Sequence, residues 1–420
     1  MTPPPRTLKY KAISLFTGAG GLDLGMEAAG FETCVAVEMD GDCVSTLRAN
    51  RDWPVIPRSI HTITSDELLK TGGIEPGEAD LLIGGPPCQP FSKAGYWASG
   101  DAKRLDDPRA GTVSAFLRVL RDTRPRAFLM ENVTGLTFKG KDEGLRLILA
   151  TIASINKSLC TSYTIKRLTL NAADFGVPQA RERAFLVGSR EGIDFGGLLP
   201  THDFSQGQQE KTSSLFPDTL RPSRNAWDAL WDLEEDDSPE LLLRGKWADL
   251  LPSVPEGQNY LFHTDRGGGL PLFGWRRRFW NFLLKLAKEQ PSWTLTAQPG
   301  PATGPFHWKN RRLSARELCR LQTIPDSFAV KGPLQAVQRQ VGNAVPSALA
   351  EKLGLEIRCR FFQDEEAGRE PRLIPRKQGQ LPPPEPVRPV PQKYLQLVGQ
   401  HAPHPGTGKG YQAQSREIAA

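Results

Sequence analysis

Short apolar runs alternating with helical patterns limit what the N-terminal half of this 420-residue chain can fold into. Ala12–Phe16 leads into the glycine-rich turn TGAGGLDLG, and Thr33–Glu38 forms a second run. Asp80–Ile83 stops at Gly84-Gly85-Pro86-Pro87, and Ala127–Met130 forms a fourth run. The runs have strand length. The clearest helix between strand candidates has Leu145, Ile148, Leu149, Ile152, Ile155 and Leu159 at steps of three and four. Strands that alternate with helices predict an α/β fold with a doubly wound, mostly parallel sheet.

Around residue 190 the texture changes. Residues 191–310 are rich in Gly, Pro, Trp and polar residues, with an acidic run at Glu234–Asp237 and a basic aromatic run at Phe273–Phe282. Periodicity returns at Ser314, which with Glu317 fits a capping box, and again in SALAEKLGLEIRCRFF after Pro346. The chain therefore divides into residues 1–190 with 330–362 as a large domain, and 191–329 as a smaller irregular one. Residues 363–420 read as a Pro-rich, disordered or polyproline-like tail.

Composition excludes several classes. No apolar run approaches the ~20 residues of a membrane span, and the start MTPPPRTLKYK does not read as a secretory leader. The six cysteines form no CxxC pair and the six histidines are scattered, so neither a disulfide scaffold nor a metal site is expected. Free thiols suit a cytoplasmic setting. The charge balance of 53 Lys+Arg against 47 Asp+Glu, net +6, leans towards an anionic partner such as nucleic acid.

Several residues stand where such a sheet places its chemistry. The glycines of LFTGAGGLDLG let a ligand approach the backbone at a helix start, and Glu38, ending the next strand, can hold ribose hydroxyls. A plain tight turn explains the same residues. The dinucleotide fingerprint G-x-G-x-x-G is not matched. Cys88 follows two prolines at a strand end, as a positioned nucleophile or a buried structural thiol. Glu131 sits just past a strand, as a partly desolvated proton donor or a helix-start acid. Arg181 and Arg183 alternate on a strand and would share a face, gripping a phosphate or carbonyl or lying on a solvated edge. Asn343 lies in a Gly-Asn turn.

Taken in order, FTGAGG, VEMD, GGPPCQPFS, ENV, QARER and the pair RRLSARELCRLQTIPDSF/QVGNAVP resemble the DNA cytosine-5 methyltransferases of bacterial restriction-modification systems, over residues 11–190 and 308–355. The resemblance implies a Rossmann-like S-adenosylmethionine-dependent fold with a target-recognition domain. It makes Cys88 the nucleophile towards carbon 6 of a flipped cytosine, Glu131 the partner of ring nitrogen 3, and Arg183 the contact to the base carbonyl. Arg181 would lie near the nucleophile. For the cofactor it implies Phe16, Gly18, Gly20, Gly21, Glu38, Met39, Ile60, Asn343 and Val345. Gln89 and Ser92 would belong to a loop that closes on double-stranded DNA.

The match departs at Ser59-Ile60, where the family often has Asp, and Asp23 is one candidate replacement; Ser14 also stands where the family has Asp. Arg276, Arg277 and Arg278, interleaved with aromatics, would read guanine or grip phosphates, or else sit on a core helix. Thr294-Leu295 resembles a pair found late in that domain. A monomer is expected, and the resemblance implies a cognate restriction endonuclease as genetic partner. Two other readings stay open: a tRNA-directed methyltransferase and a catalytically silent DNA-binding protein.

Overall fold

The structure, a computed structural model, describes residues 10–87, 111–132, 143–204, 220–275 and 280–400. Cys88, Gln89, Ser92 and Arg276–Arg278 lie outside them. Seven strands form the main sheet: β1 (Tyr10–Leu15), β2 (Phe31–Val37), β3 (Val55–Ile56), β4 (Leu81–Gly84), β5 (Ala127–Asn132), β6 (Lys166–Asn171) and, after the two-residue β7 (Gln179–Ala180), β8 (Glu182–Ser189). Their order is β3-β2-β1-β4-β5-β8-β6, and only β8 runs against its neighbours. This is the doubly wound, mostly parallel sheet that the alternation predicts.

Because strand side chains alternate, the sheet feeds two cores. Ile13, Leu15, Leu82, Phe128 and Met130 face one layer. That layer is built from α3 (Ser65–Gly72), α4 (Gly111–Thr123) and α5 (Glu143–Leu159). Ala12, Leu81, Ile83, Ala127 and Leu129 face α1 (Gly21–Ala29) and α9 (Ser347–Phe362). α1 and α9 lie in close contact through glycines: a Cβ on Gly25 would stand 2.3 Å from the Ala350 Cβ, and one on Gly354 2.7 Å from that of Ala29. A helix some 330 residues downstream thus completes one face of the sheet. α2 (Gly41–Asn50) follows β2 and is capped by Asp40.

Residues 191–200 do not join the second domain as the sequence suggests. Phe195 is buried in the α9 side of the core and meets Phe361 edge-on at 5.5 Å, because this apolar pair covers the sheet's antiparallel end. Short strands β9 (His202–Asp203) and β10 (Arg221–Pro222) pair beyond it. From Ala226 onwards, α6 (Ala226–Leu230) packs with Trp308, Leu313, α7 (Ala315–Leu321) and α8 (Leu334–Asn343). The capping box at Ser314 is present in full. An aromatic cluster of Tyr260, Phe273, Phe282 and Trp247 holds the irregular remainder. β11 (Ser292–Trp293) pairs with β7 and ties this part to the sheet.

The disorder expected from residue 363 onwards is corrected as far as residue 400. Residues 364–400 run over the surface as an ordered segment ending in the single turn α10 (Gln392–Leu395), with Tyr394 buried. Pro-rich composition disfavours helices and sheets, yet a polyproline-like chain can still be held by side chains that reach it from outside.

Candidate active site

A cavity of about 590 Å³ opens at the C-terminal ends of β1, β2, β4 and β5, where parallel α/β sheets place ligands. One wall is the turn after β1. The backbone there is left-handed at Phe16 (φ 54°), Gly18 (φ 57°) and Gly20 (φ 80°). For a phenylalanine that conformation costs about 1–3 kcal/mol. A Cβ on Gly18 would meet nothing within 4 Å, so the turn is open towards the cavity. The Glu38 carboxylate accepts from the Gly18 N–H at 2.7 Å on one oxygen and from the Asp40 N–H at 2.8 Å on the other. This fixes the carboxylate while leaving lone pairs for a ligand. Met39 stands exposed at the mouth. Ile60 and Asp23 line the same space. Burial pushes the Asp23 carboxyl up to about 7.

The end of α8 supplies another wall. Asn343 and Val345 line the cavity from the end of α8. Gly21 permits this closure, since a Cβ there would stand 2.6 Å from the Val345 carbonyl. Arg339, one turn before Asn343, donates to Asp40 at 2.5 Å and Asp42 at 2.7 Å and so braces the α2 start. The sequence reading missed Arg339, whose partners lie nearly 300 residues away.

The reactive side is built on β4 and β5. Glu131 and Arg183 both line the cavity, and the Arg183 Nε lies 3.0 Å from the Glu131 carboxylate. Burial raises the Glu131 carboxyl above its ordinary range, against the pull of Arg183 and Arg181. Pro86 and Pro87 enter the same cavity beside this pair. Their carbonyls are pinned: Asn132 Nδ2 donates to Pro86 at 3.4 Å and Thr112 Oγ1 to Pro87 at 3.2 Å. The sequence signalled Asn132 within its ENV block but gave no role to either residue.

Arg181 does not share the face of Arg183. It falls between β7 and β8, is fully buried, and donates to the carbonyls of Gly342 at 2.7 Å and Leu295 at 3.3 Å. The break between two strands destroys the simple alternation. Arg181 clasps the small domain and the end of α8 to the sheet. Gln179 acts beside it, donating to the Leu321 carbonyl at 3.2 Å and accepting from the Leu295 N–H at 3.3 Å. Thr294 reaches the Ala180 carbonyl at 2.7 Å.

A family model for C-5 cytosine-specific DNA methylases matches residues 10–359. The chain belongs to this family. The Streptomyces achromogenes protein named Type II methyltransferase M.SacI is 39% identical to this methylase over 373 residues, 81% of this chain and 93% of its own. The Picosynechococcus protein named Type II methyltransferase M.AquIA is 45% identical over 226 residues, 53% of this chain and 88% of its own. The solved structure of a DNA modification methyltransferase from an E. coli prophage superposes with a TM-score of 0.60, covering 84% of this methylase and 100% of that chain. At 21% identity it speaks to the fold alone. Among the described residues, no helix of the methylase is long and apolar enough to cross a membrane, and no group of three or more His, Cys, Asp or Glu could hold a metal.

Proposed function

We propose that this methylase acts on cytosine within a specific double-stranded DNA sequence, as the modification half of a restriction-modification system. The observation that carries the reading is one cavity holding both the Glu131–Arg183 pair and the Phe16–Gly18–Glu38 cradle. The cradle fits S-adenosylmethionine: an aromatic ring and apolar Ile60 and Val345 suit an adenine, and the Glu38 carboxylate suits ribose hydroxyls. Gly20 and Gly21 shape the turn, and Met39 and Asn343 flank it. When bound, the cofactor supplies the methyl group.

The chain's own residues do the rest. Carbon 5 of cytosine is a poor nucleophile. The Cys88 thiolate adds to carbon 6, forming an S–C bond and moving an electron pair towards carbon 5. Glu131 delivers a proton to ring nitrogen 3, which its raised pKa equips it to do. Arg183 orients Glu131 and faces the base carbonyl. After methylation, water takes the carbon 5 proton, the freed electron pair reforms the 5,6 double bond and expels the Cys88 thiolate, and nitrogen 3 returns its proton to Glu131. The base must leave the duplex to enter the cavity. Arg181 serves as a positioning residue through Leu295 and Gly342. Gln89 and Ser92 are assigned to the loop over the DNA, and Arg276, Arg277 and Arg278 to DNA contact. The enzyme acts as a cytoplasmic monomer, with a cognate restriction endonuclease as its genetic partner.

Bisulfite sequencing of plasmid DNA from a methylation-free host expressing the chain tests this reading. Protected cytosines at one short motif are expected. No protection, with soluble protein present, overturns it.

A further inference from the structure

We propose that residues 364–398 form a positioning strap, which sets the opening between the catalytic sheet and the small domain and thereby the productive binding of DNA. The proposal rests on the DNA-methylating reading above. The family model ends at residue 359, so the strap lies beyond what the family shares.

Its first anchor is on the catalytic side. Asp364 takes the Tyr10 hydroxyl at 2.8 Å and the Arg358 guanidinium at 2.6 Å. The fully buried Glu351 accepts from Arg369 at 2.7 Å and from the Arg372 and Leu373 N–H groups at 2.8 and 2.9 Å. The second anchor is on α6. Asp228 holds the Lys377 ammonium at 3.1 Å and the Gln378 N–H at 2.7 Å, and Trp227 Nε1 donates to the Gln380 carbonyl at 2.9 Å. The third is buried Lys288, which donates to the Pro383 carbonyl at 3.1 Å and joins Glu385 at 3.2 Å and Glu256 at 2.5 Å. Arg388 N–H then reaches the Pro252 carbonyl at 3.0 Å, and Tyr394 stacks on Trp247 at 5.6 Å inside the aromatic cluster.

The strap therefore contributes a core residue to a domain that precedes it in sequence. Its stretch from Pro382 to Pro391, PPPEPVRPVP, which carries the Lys288 anchor and runs on towards Tyr394, is polyproline-like and acts as a semi-rigid spacer of about 3.1 Å per residue. Other ties join the two parts as well: β7 with β11, Arg181 with Leu295, Gln179 with Leu321, Thr294 with Ala180, and Asn50 with Ala329. Beyond them lies the aromatic cluster, which the strap joins to the catalytic side through Tyr394 on Trp247. A stiff tie anchored at both ends limits how far that cluster moves before DNA arrives, and preorganisation of this kind lowers the cost of binding.

The test leaves folding undisturbed. A site for a sequence-specific protease is inserted between exposed Gly379 and Gln380, and the strap is cut in the purified, folded enzyme. If cutting leaves the strapped opening about one tenth populated, KM for DNA rises about tenfold, while kcat stays within about twofold. The dissociation constant for S-adenosylmethionine stays unchanged. Full-chain Tyr394→Ala moves KM in the same direction by less. An unchanged KM after complete cutting, with only a lower Tm, assigns the strap to stability and overturns the proposal. If the intact enzyme methylates no DNA, the functional reading fails instead. The strap is then judged by hydrogen exchange over residues 226–309: faster exchange on cutting supports it, and unchanged exchange overturns it.

Discussion

Glu131 is pulled two ways. Burial favours its protonated form, and the Arg183 guanidinium at 3.0 Å favours the carboxylate. A proton donor in such balance stays loaded at a higher pH than an exposed glutamate would. Glu131→Gln should lower kcat by about 10²–10³-fold, with the cofactor still bound. The sign of the pH effect follows from the charges. Activity requires the protonated acid, so kcat falls as pH rises through the Glu131 pKa. Arg183→Ala removes a cation that lowers that pKa, so the falling limb of the kcat–pH profile should move to higher pH, beneath a lower plateau. An unmoved limb would detach the two residues. Both were readable in the sequence because they sit in short blocks at strand ends. The partners of Arg181 were not, since Leu295 and Gly342 lie 114 and 161 residues further on and local periodicity carries no signal at that range.

Between elements, what holds the site is close contact of two helices far apart in sequence. α1 presents Gly25 to Ala350 on α9, and both helices cover the strands that end at the cavity. Gly25→Ala adds one methyl where a Cβ would stand 2.3 Å from another, so it should cost about 3 kcal/mol, read as a fall in Tm. Arg181→Ala strands two buried carbonyls and should also cost about 3 kcal/mol. The two are separable by kinetics. Gly25→Ala should act chiefly on cofactor binding through the α1 start, and Arg181→Ala on KM for DNA through the small domain. Equal effects on both constants from both variants would contradict this division. The helix over Ser347–Phe362 and the Ser314 capping box were legible, because caps and 3.6-residue spacing are local. The region from Ala226 to Leu313 was not, because aromatic contacts and single hydrogen bonds shape it more than repeating elements do.

Across the whole molecule the chain closes on itself twice. α8 and α9 return to finish the sheet and the cavity wall, and residues 364–400 then travel back over the small domain. The first return was legible from QVGNAVP, a motif tied to the site. The second was hidden by composition: a Pro-rich segment has no core of its own and is ordered here by anchors such as Asp228 and Lys288 that belong to other elements. Attack of Cys88 on the cytosine ring can be trapped directly. An oligonucleotide carrying 5-fluorocytosine at the cytosine marked by bisulfite sequencing is incubated with enzyme and S-adenosylmethionine, and the product is mapped by mass spectrometry. Fluorine at carbon 5 blocks the final elimination, so a covalent complex through Cys88 is predicted, and Cys88→Ser should form none. An adduct that persists in Cys88→Ser, or methylation by the wild type with no adduct at all, would contradict the account.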